Sequence, residues 1–286
     1  MFFLQILVDG LLQGGVYALM AIGLSLILGV LRIINLAHGN LVVIGMYTSY
    51  GLFSFLGIDP YLSILGSAVI AFFLGYFIQW SILNPIVNAP EEMTVLVTLG
   101  IGLIIQNLLL MAFGPDYYTV NTSYRLETFM LGTVRFDIPK LLAFLSSLMI
   151  VAIFFLFMEK TDLGRTIRAA TDNREAAMLM GVNVSRIYCI AFGIGTVMAT
   201  VAGSSISTFI PTSQDAGTLF TMASFVIVIA GGIGSHLGPL FGGLLVGVLE
   251  EAGGFLFSGS LKQIMSLGLL VIILLLRPQG LFGKET

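Results

Sequence analysis

The residues best suited to chemistry in this 286-residue chain are few, polar and mostly uncharged. Asn35, His38 and Asn40 fall in a short break, Asn35-Leu36-Ala37-His38-Gly39-Asn40, between two apolar runs. Ser235 and His236 fall in a second break, Gly231-Gly232-Ile233-Gly234-Ser235-His236-Leu237-Gly238-Pro239. Gln106 and Asn107 sit midway along another apolar run, where a polar side chain facing lipid is costly. Interrupted hydrophobic segments in two halves of a chain point to a transport site, because unwound backbone and half-helix ends present polar groups there. The chemistry these residues suit is non-covalent: holding and passing a small polar solute. Structural readings stand beside it. Gln106 and Asn107 also suit an interhelical hydrogen bond worth about 0.6 to 2 kcal/mol, and His38, close after Arg32, also suits a solvated helix end, as His236 does. Two His and one Cys, far apart, supply no cluster of nucleophile, base or metal ligands for an enzyme. Asp9, Glu250 and Glu251 are expected at span ends. No acid or base is expected in the middle of a span, which argues against the buried proton relay of an ion-coupled carrier.

A second constellation lies in the one long charged loop, 159–186, which carries Lys160, Arg165, Arg168, Arg174 and Arg186. Asp172 is a good helix N-cap, Glu175 three residues later suits a capping box, and Gly181 suits a left-handed C-terminal position. Between them Ala176, Ala177, Met178, Leu179 and Met180 predict a helix of about two turns with an apolar face. So short a helix is marginal in water and needs something to pack against.

The elements that position these residues follow from composition. Apolar residues make up 57% of the chain and charged residues 9%, with mean hydropathy +1.04. Soluble domains carry roughly 25% charged residues. Apolar runs of about 18 residues or more cross a bilayer as helices, which satisfy their own backbone, whereas the strict alternation of a transmembrane barrel is missing. The expected fold is all-α: a polytopic transmembrane helical bundle of eight or nine spans, forming a single membrane domain over 1–286 with a short cytoplasmic helix in loop 159–186. Spans are predicted near 4–31, 40–57, 61–83, 94–113, 139–158, 187–210, 218–233, 238–257 and 262–277. The positive-inside rule puts loop 159–186 and the tail with Arg277 and Lys284 in the cytoplasm, together with Arg32. The N-terminus and segment 114–140 then lie outside. The start lacks the basic region of a cleaved signal, so the first run is expected to remain as a helix. Gly10-x-x-x-Gly14, Gly238-x-x-x-Gly242 and Gly243-x-x-x-Gly247 let helices approach closely, within the subunit or between subunits. Cys189 reads as a small core residue. A net charge of −3 gives no basic field for nucleic acid.

Glu175-Ala176-Ala177, three residues, then Gly181 resembles the coupling motif of ABC-importer permeases, although Val184-Ser185-Arg186 stands where that motif ends in Ile-x-Leu-Pro. Gly15-Val16-Tyr17-Ala18-Leu19 with Ala21-Ile22-Gly23-Leu24, then Ile34-Asn35-Leu36-Ala37-His38-Gly39, are similar to the high-affinity branched-chain amino acid permeases. Gly164-Arg165-Thr166-Ile167-Arg168-Ala169, Gly231-Gly232-Ile233-Gly234-Ser235 and Arg277-Pro278-Gln279-Gly280-Leu281-Phe282-Gly283 continue the resemblance in order to the tail. The resemblance implies the smaller, LivH-like permease subunit of a bacterial inner-membrane importer. Its partners would be a second, different permease, two cytoplasmic ATP-binding subunits and an extracytoplasmic substrate-binding protein, which Glu250 and Glu251 would help to dock. Arg168, Asp172, Glu175, Ala176, Ala177 and Gly181 would couple to the ATPase, and Asn35, His38, Asn40, Gln106, Asn107 and Ser235 would line the pathway. The chain has no phosphate-binding loop of its own and no cofactor is implied. Relatives serve branched-chain and other neutral amino acids, or urea, short amides and aromatic acids. An ATP-independent secondary transporter is the rival class.

Overall fold

Each of the nine predicted apolar runs forms a helix in the computed structural model, which describes residues 2–132, 134–232, 234–235, 237–257, 262–277 and 279–283. The membrane helices are α1 (Phe2–Leu31), α2 (His38–Leu56), α3 (Pro60–Ile78), α4 (Glu91–Phe113), α5 (Ile138–Lys160), α8 (Val184–Ile206), α9 (Ala216–Gly231), α10 (Gly238–Leu256) and α11 (Lys262–Leu276). Seven are long and apolar enough to cross a membrane, and α9 and α11 are shorter apolar helices. Between α5 and α8 lie two short helices, α6 (Asp162–Asp172) and α7 (Arg174–Leu179). A hairpin, β1 (Thr128–Leu131) with β2 (Val134–Asp137), stands before α5. The apolar alternation of so short a hairpin was lost among longer runs, so the sequence did not announce it.

The core is built on α1 and α8, whose most apolar stretches are 83% buried, whereas that of α4 is 22% buried. Small residues make this packing possible. A methyl group added at Gly10 would stand 2.5 Å from Val248 Cα, at Gly14 2.7 Å from the Gly243 oxygen, and at Gly243 2.6 Å from Ala18 Cα. The glycine patterns of α1 and α10 therefore meet each other within the subunit, and Gly242 packs on Ile227 of α9. Cys189 is a free, buried residue that accepts from Asn84 Nδ2 at 3.3 Å.

The same close approach overturns one expectation. Glu250 is not available at the surface to dock a binding protein: it is 2% exposed, accepting from Tyr17 Oη at 3.0 Å and from Ser266 Oγ at 3.4 Å. Gln13 Nε2 donates in turn to Tyr17 Oη at 2.7 Å. The glycine seam draws the outer half of α10 against α1, so a carboxylate that hydropathy places near a span end is carried inside the protein, where hydrogen bonds offset its desolvation. Glu251 stays half-buried and pairs with Lys140 at 3.7 Å.

Candidate functional site

Two arrangements bear on function, one within the apolar bundle and one at its charged end. In the first, α1 stops at Leu31 and the chain turns back through Arg32, the one non-glycine residue with positive φ (57°) among the described residues. Residues 33–37 then run back into the protein instead of along its surface, and α2 begins at a fully buried His38. His38 Nε2 lies 3.0 Å from the carbonyl oxygen of Met20. Met20 is about 16 Å back along α1 from Leu31 by the rise of a helix. A carbonyl only accepts, so Nε2 carries the proton and Nδ1 of the neutral ring is an acceptor. Nδ1 has no protein partner, and neither has Nδ2 of the fully buried Asn35.

The unwound backbone here is satisfied by helices far away in sequence, as buried peptide groups require. Leu36 N–H donates to Thr98 Oγ1 at 3.2 Å, and Thr98 Oγ1 donates to the Ile34 carbonyl at 3.0 Å. Asn35 Oδ1 accepts from Ala37 N–H at 3.1 Å, and Gly39 N–H donates to Thr221 Oγ1 at 2.9 Å. Asn40 lodges between two glycines: a methyl group at Gly102 would stand 2.8 Å from Asn40 Nδ2, and one at Gly217 would overlap Asn40 Oδ1. The start of α9 thus meets the start of α2. The predicted span 187–210 ends instead with α8 at Ile206, because residues 207–215 leave the helix as a largely buried polar segment that enters α9. Thr212 and Tyr118 exchange backbone hydrogen bonds at 2.7 and 3.0 Å and hold this segment in place.

Of the residues picked for a pathway, Asn35, His38, Asn40 and Gln106 gather along this seam, with Gln106 Nε2 donating to Asp215 Oδ1 at 2.9 Å. Asn107 does not join them. It is exposed on the other side of α4 and bonds its own helix at the Leu103 oxygen, because consecutive helical residues point about 100° apart. Ser235 is also elsewhere, in the turn between α9 and α10, where its Oγ accepts from Gly238 N–H at 3.0 Å. His236 lies outside the described residues. Sequence reading missed Thr98, Thr221 and Asp215. Hydroxyls that bond back to their own helices look unremarkable in a sequence, whereas the lone carboxylate of Asp215 between two spans was a usable signal.

At the other end, the charged loop holds two helices where one was expected. Thr161 Oγ1 caps α6 by accepting from Gly164 N–H at 3.0 Å. Gly164, Ile167 and Ala170 form the buried face of α6, and Arg168 donates to the Met158 carbonyl at the end of α5. Asp172 is the last residue of α6 rather than an N-cap. Asn173 takes that role, its Oδ1 accepting from Ala176 N–H at 3.0 Å, so the capping box from Asp172 to Glu175 does not form. Asn173 wins because its backbone is extended (φ −150°), as an N-cap requires, while Asp172 is still helical. Gly181 is left-handed as expected (φ 85°). Val182 N–H bonds the Ala177 oxygen and Gly181 N–H the Met178 oxygen, which is a Schellman ending.

Only Ala177 of α7 is buried; Glu175 and Ala176 are exposed, and Met178, Leu179 and Met180 are 47%, 89% and 85% exposed. Arg174 ties α7 to the bundle through Asn88 Oδ1 at 2.9 Å and by standing 5.6 Å over the Tyr188 ring. A cavity of about 400 Å³ lies beside α6 at this end. It lies between the inner half of α1, Arg168 and Asp172 of α6, Ser235, and Phe282 of the tail. The tail is pinned there: Leu281 and Phe282 N–H donate to the Ala230 and Gly231 oxygens at 2.9 and 3.0 Å, and Phe282 stacks on Phe241 at 5.2 Å. Two glycine-rich motifs about fifty residues apart are thus one clasp at the end of α9.

Residues 6–274 match the family described as "Branched-chain amino acid transport system / permease component". The chain belongs to this family. The permease is 28% identical to the high-affinity branched-chain amino acid transport system permease protein BraD of Pseudomonas aeruginosa, over 99% of this chain and 96% of that protein. It is 27% identical to the corresponding LivH of Salmonella typhimurium, with the same coverage. Among solved structures, PsaBC from Streptococcus pneumoniae in complex with Fab matches over 99% of this chain and 94% of that one. Its TM-score is 0.50 at 15% identity, a likeness of fold. The permease is a multi-pass protein of the cell membrane and a transport subunit.

Proposed function

We propose that this chain, as one membrane domain, is one of two different permease subunits of an ATP-driven importer for branched-chain and other neutral amino acids. In this reading two cytoplasmic ATP-binding subunits drive it and an extracytoplasmic binding protein feeds it. The observation that carries the reading is α7: a six-residue helix, fixed at both ends by caps, that presents Met178, Leu179 and Met180 to solvent. Apolar side chains on a capped helix at the charged end of a membrane protein are what a groove on another subunit would cover. α7 is too short to hold itself in water, so its caps and Arg174 keep it ready to transmit a push.

The seam supplies the other half. Two helices, α2 and α9, start inside the bundle near unpaired atoms of Asn35 and His38, a construction suited to a polar solute crossing. The seam opens at Gln106 and Asp215 onto a face this chain does not cover, and polar groups there favour a second permease over lipid. Movement of α7 passes through α6 to the cavity bounded by Ser235 and Phe282, and so to the clasped end of α9. The far end of α9 touches Asn40, so a shift of α9 changes the seam between two packed states.

The test uses the complete transporter in proteoliposomes. Leu179→Asp is expected to cut leucine uptake at least 10-fold and to release the ATP-binding subunits on copurification. Undiminished uptake with no ATPase retained by either protein would sink the reading and favour an ATP-independent carrier.

A further inference from the structure

Asp215 holds the residue position that opens α9, where a carboxylate normally caps the first free N–H groups of the helix. It does not do so. Its backbone is helical (φ −80°, ψ −14°) and its side chain makes no cap bond. The side chain is instead turned across to α4, where Oδ1 accepts from Gln106 Nε2. Asp215 takes part in none of the ion pairs formed among the described residues, and it is exposed. Leu219 and Met222, on the next turns of α9, are 49% and 48% exposed. Helix rise places Gln106 about 10 Å below the outer end of α4 at Phe113. The carboxylate therefore stands within the outer part of the bundle, on an uncovered and otherwise largely apolar face. A negative charge in such a place calls for a cation.

Which cation follows from the arrangement, given the import reading above, on which this step rests. Gln106 is a neutral amide and occupies one carboxylate oxygen, so it orients the group without cancelling its charge. The second oxygen is left for a donor bearing positive charge. Every neutral amino acid carries one such group, its α-ammonium, beside a side chain that suits Leu219 and Met222. One step further in, Asn40 touches Gly217, so the carboxylate marks the outer edge of the seam. We propose that Asp215, oriented by Gln106, receives the α-ammonium of the substrate as it enters the membrane subunits from the outer face.

The experiment measures uptake of leucine, isoleucine and valine by the full complex with its binding protein in proteoliposomes. Asp215→Asn is expected to lower uptake of all three at least 10-fold, because the ammonium is common to them, while the subunits still copurify. Asp215→Glu should restore uptake to within about 3-fold of the parent. Gln106→Leu should raise KM more than it lowers the maximal rate, the mark of a positioning residue. A complex that imports leucine equally well with Asn at 215 overturns the assignment alone. Loss of the second permease on copurification of Asp215→Asn also overturns it, since the carboxylate would then be pairing with a basic residue of that subunit. A parent complex that imports no amino acid sinks the import reading and this assignment together.

Discussion

The seam around Asn35–Asn40 and the helix α7 both begin helices at unusual places, yet they are held in opposite ways. At the seam the partners come from afar: Thr98 bonds Leu36 and Ile34, Thr221 bonds Gly39, and Met20 bonds His38. At α7 the bonds that shape the helix lie within residues 173–182. The seam is buried and depends on glycine at its crossing points, whereas α7 is exposed and depends on caps. A buried start without backbone partners costs several kcal/mol in lipid and must be over-determined by the fold. An exposed helix can rely on water and local signals, and it keeps its apolar side chains free for a partner. The permease thus puts rigidity where its own helices must meet and accessibility where another subunit would attach.

That contrast can be broken most severely at Gly39. A side chain there would overlap the Gly217 oxygen and collide with Thr221, so Gly39→Leu should prevent α2 and α9 from meeting. The expected result is a loss of about 3 kcal/mol, the upper end for overpacked cores, seen as a large fall in melting temperature in detergent and poor membrane yield. A Gly39→Leu protein as stable as the parent would show that the seam is not a packed joint. Next is Gly181→Val, which forces a β-branched residue into a left-handed position at a cost of about 1 to 3 kcal/mol. Since α7 is peripheral, that cost should appear as local fraying in hydrogen exchange and reduced uptake, with the melting temperature of the bundle nearly unmoved. The smallest and sharpest comparison pairs Asn173→Ala with Asp172→Ala. The first removes a cap worth about 1 kcal/mol and the second removes none. Hydrogen exchange at Ala176 should accelerate about 5-fold for the first alone, and equal effects would restore Asp172 to the capping role that the sequence suggested.

Much of this was open to a reader of the sequence. Nine apolar runs, the charged loop and its Gly181 are local features, each fixed by hydropathy or backbone preference over a few residues. The caps were nearly legible: Asp172 and Asn173 are both good N-caps, and only the extended backbone at 173 chose between them. Gln106 and Asn107 show the limit of the method. Adjacent polar residues in one span cannot both face one neighbour, and hydropathy does not say which one does.

By itself, then, the sequence determined a multi-pass helical membrane protein with a positively charged face and a short exposed helix, because composition and local backbone preference set those features. Only the tertiary structure decided that α2 and α9 begin beside each other, that Glu250 is buried against Tyr17, and that Asp215 turns from its own helix to Gln106. Each depends on how closely two helices distant in sequence approach. For the first two that distance is set by glycines on both partners at once, Gly39 with Gly217 and Gly14 with Gly243, and neither segment carries it alone.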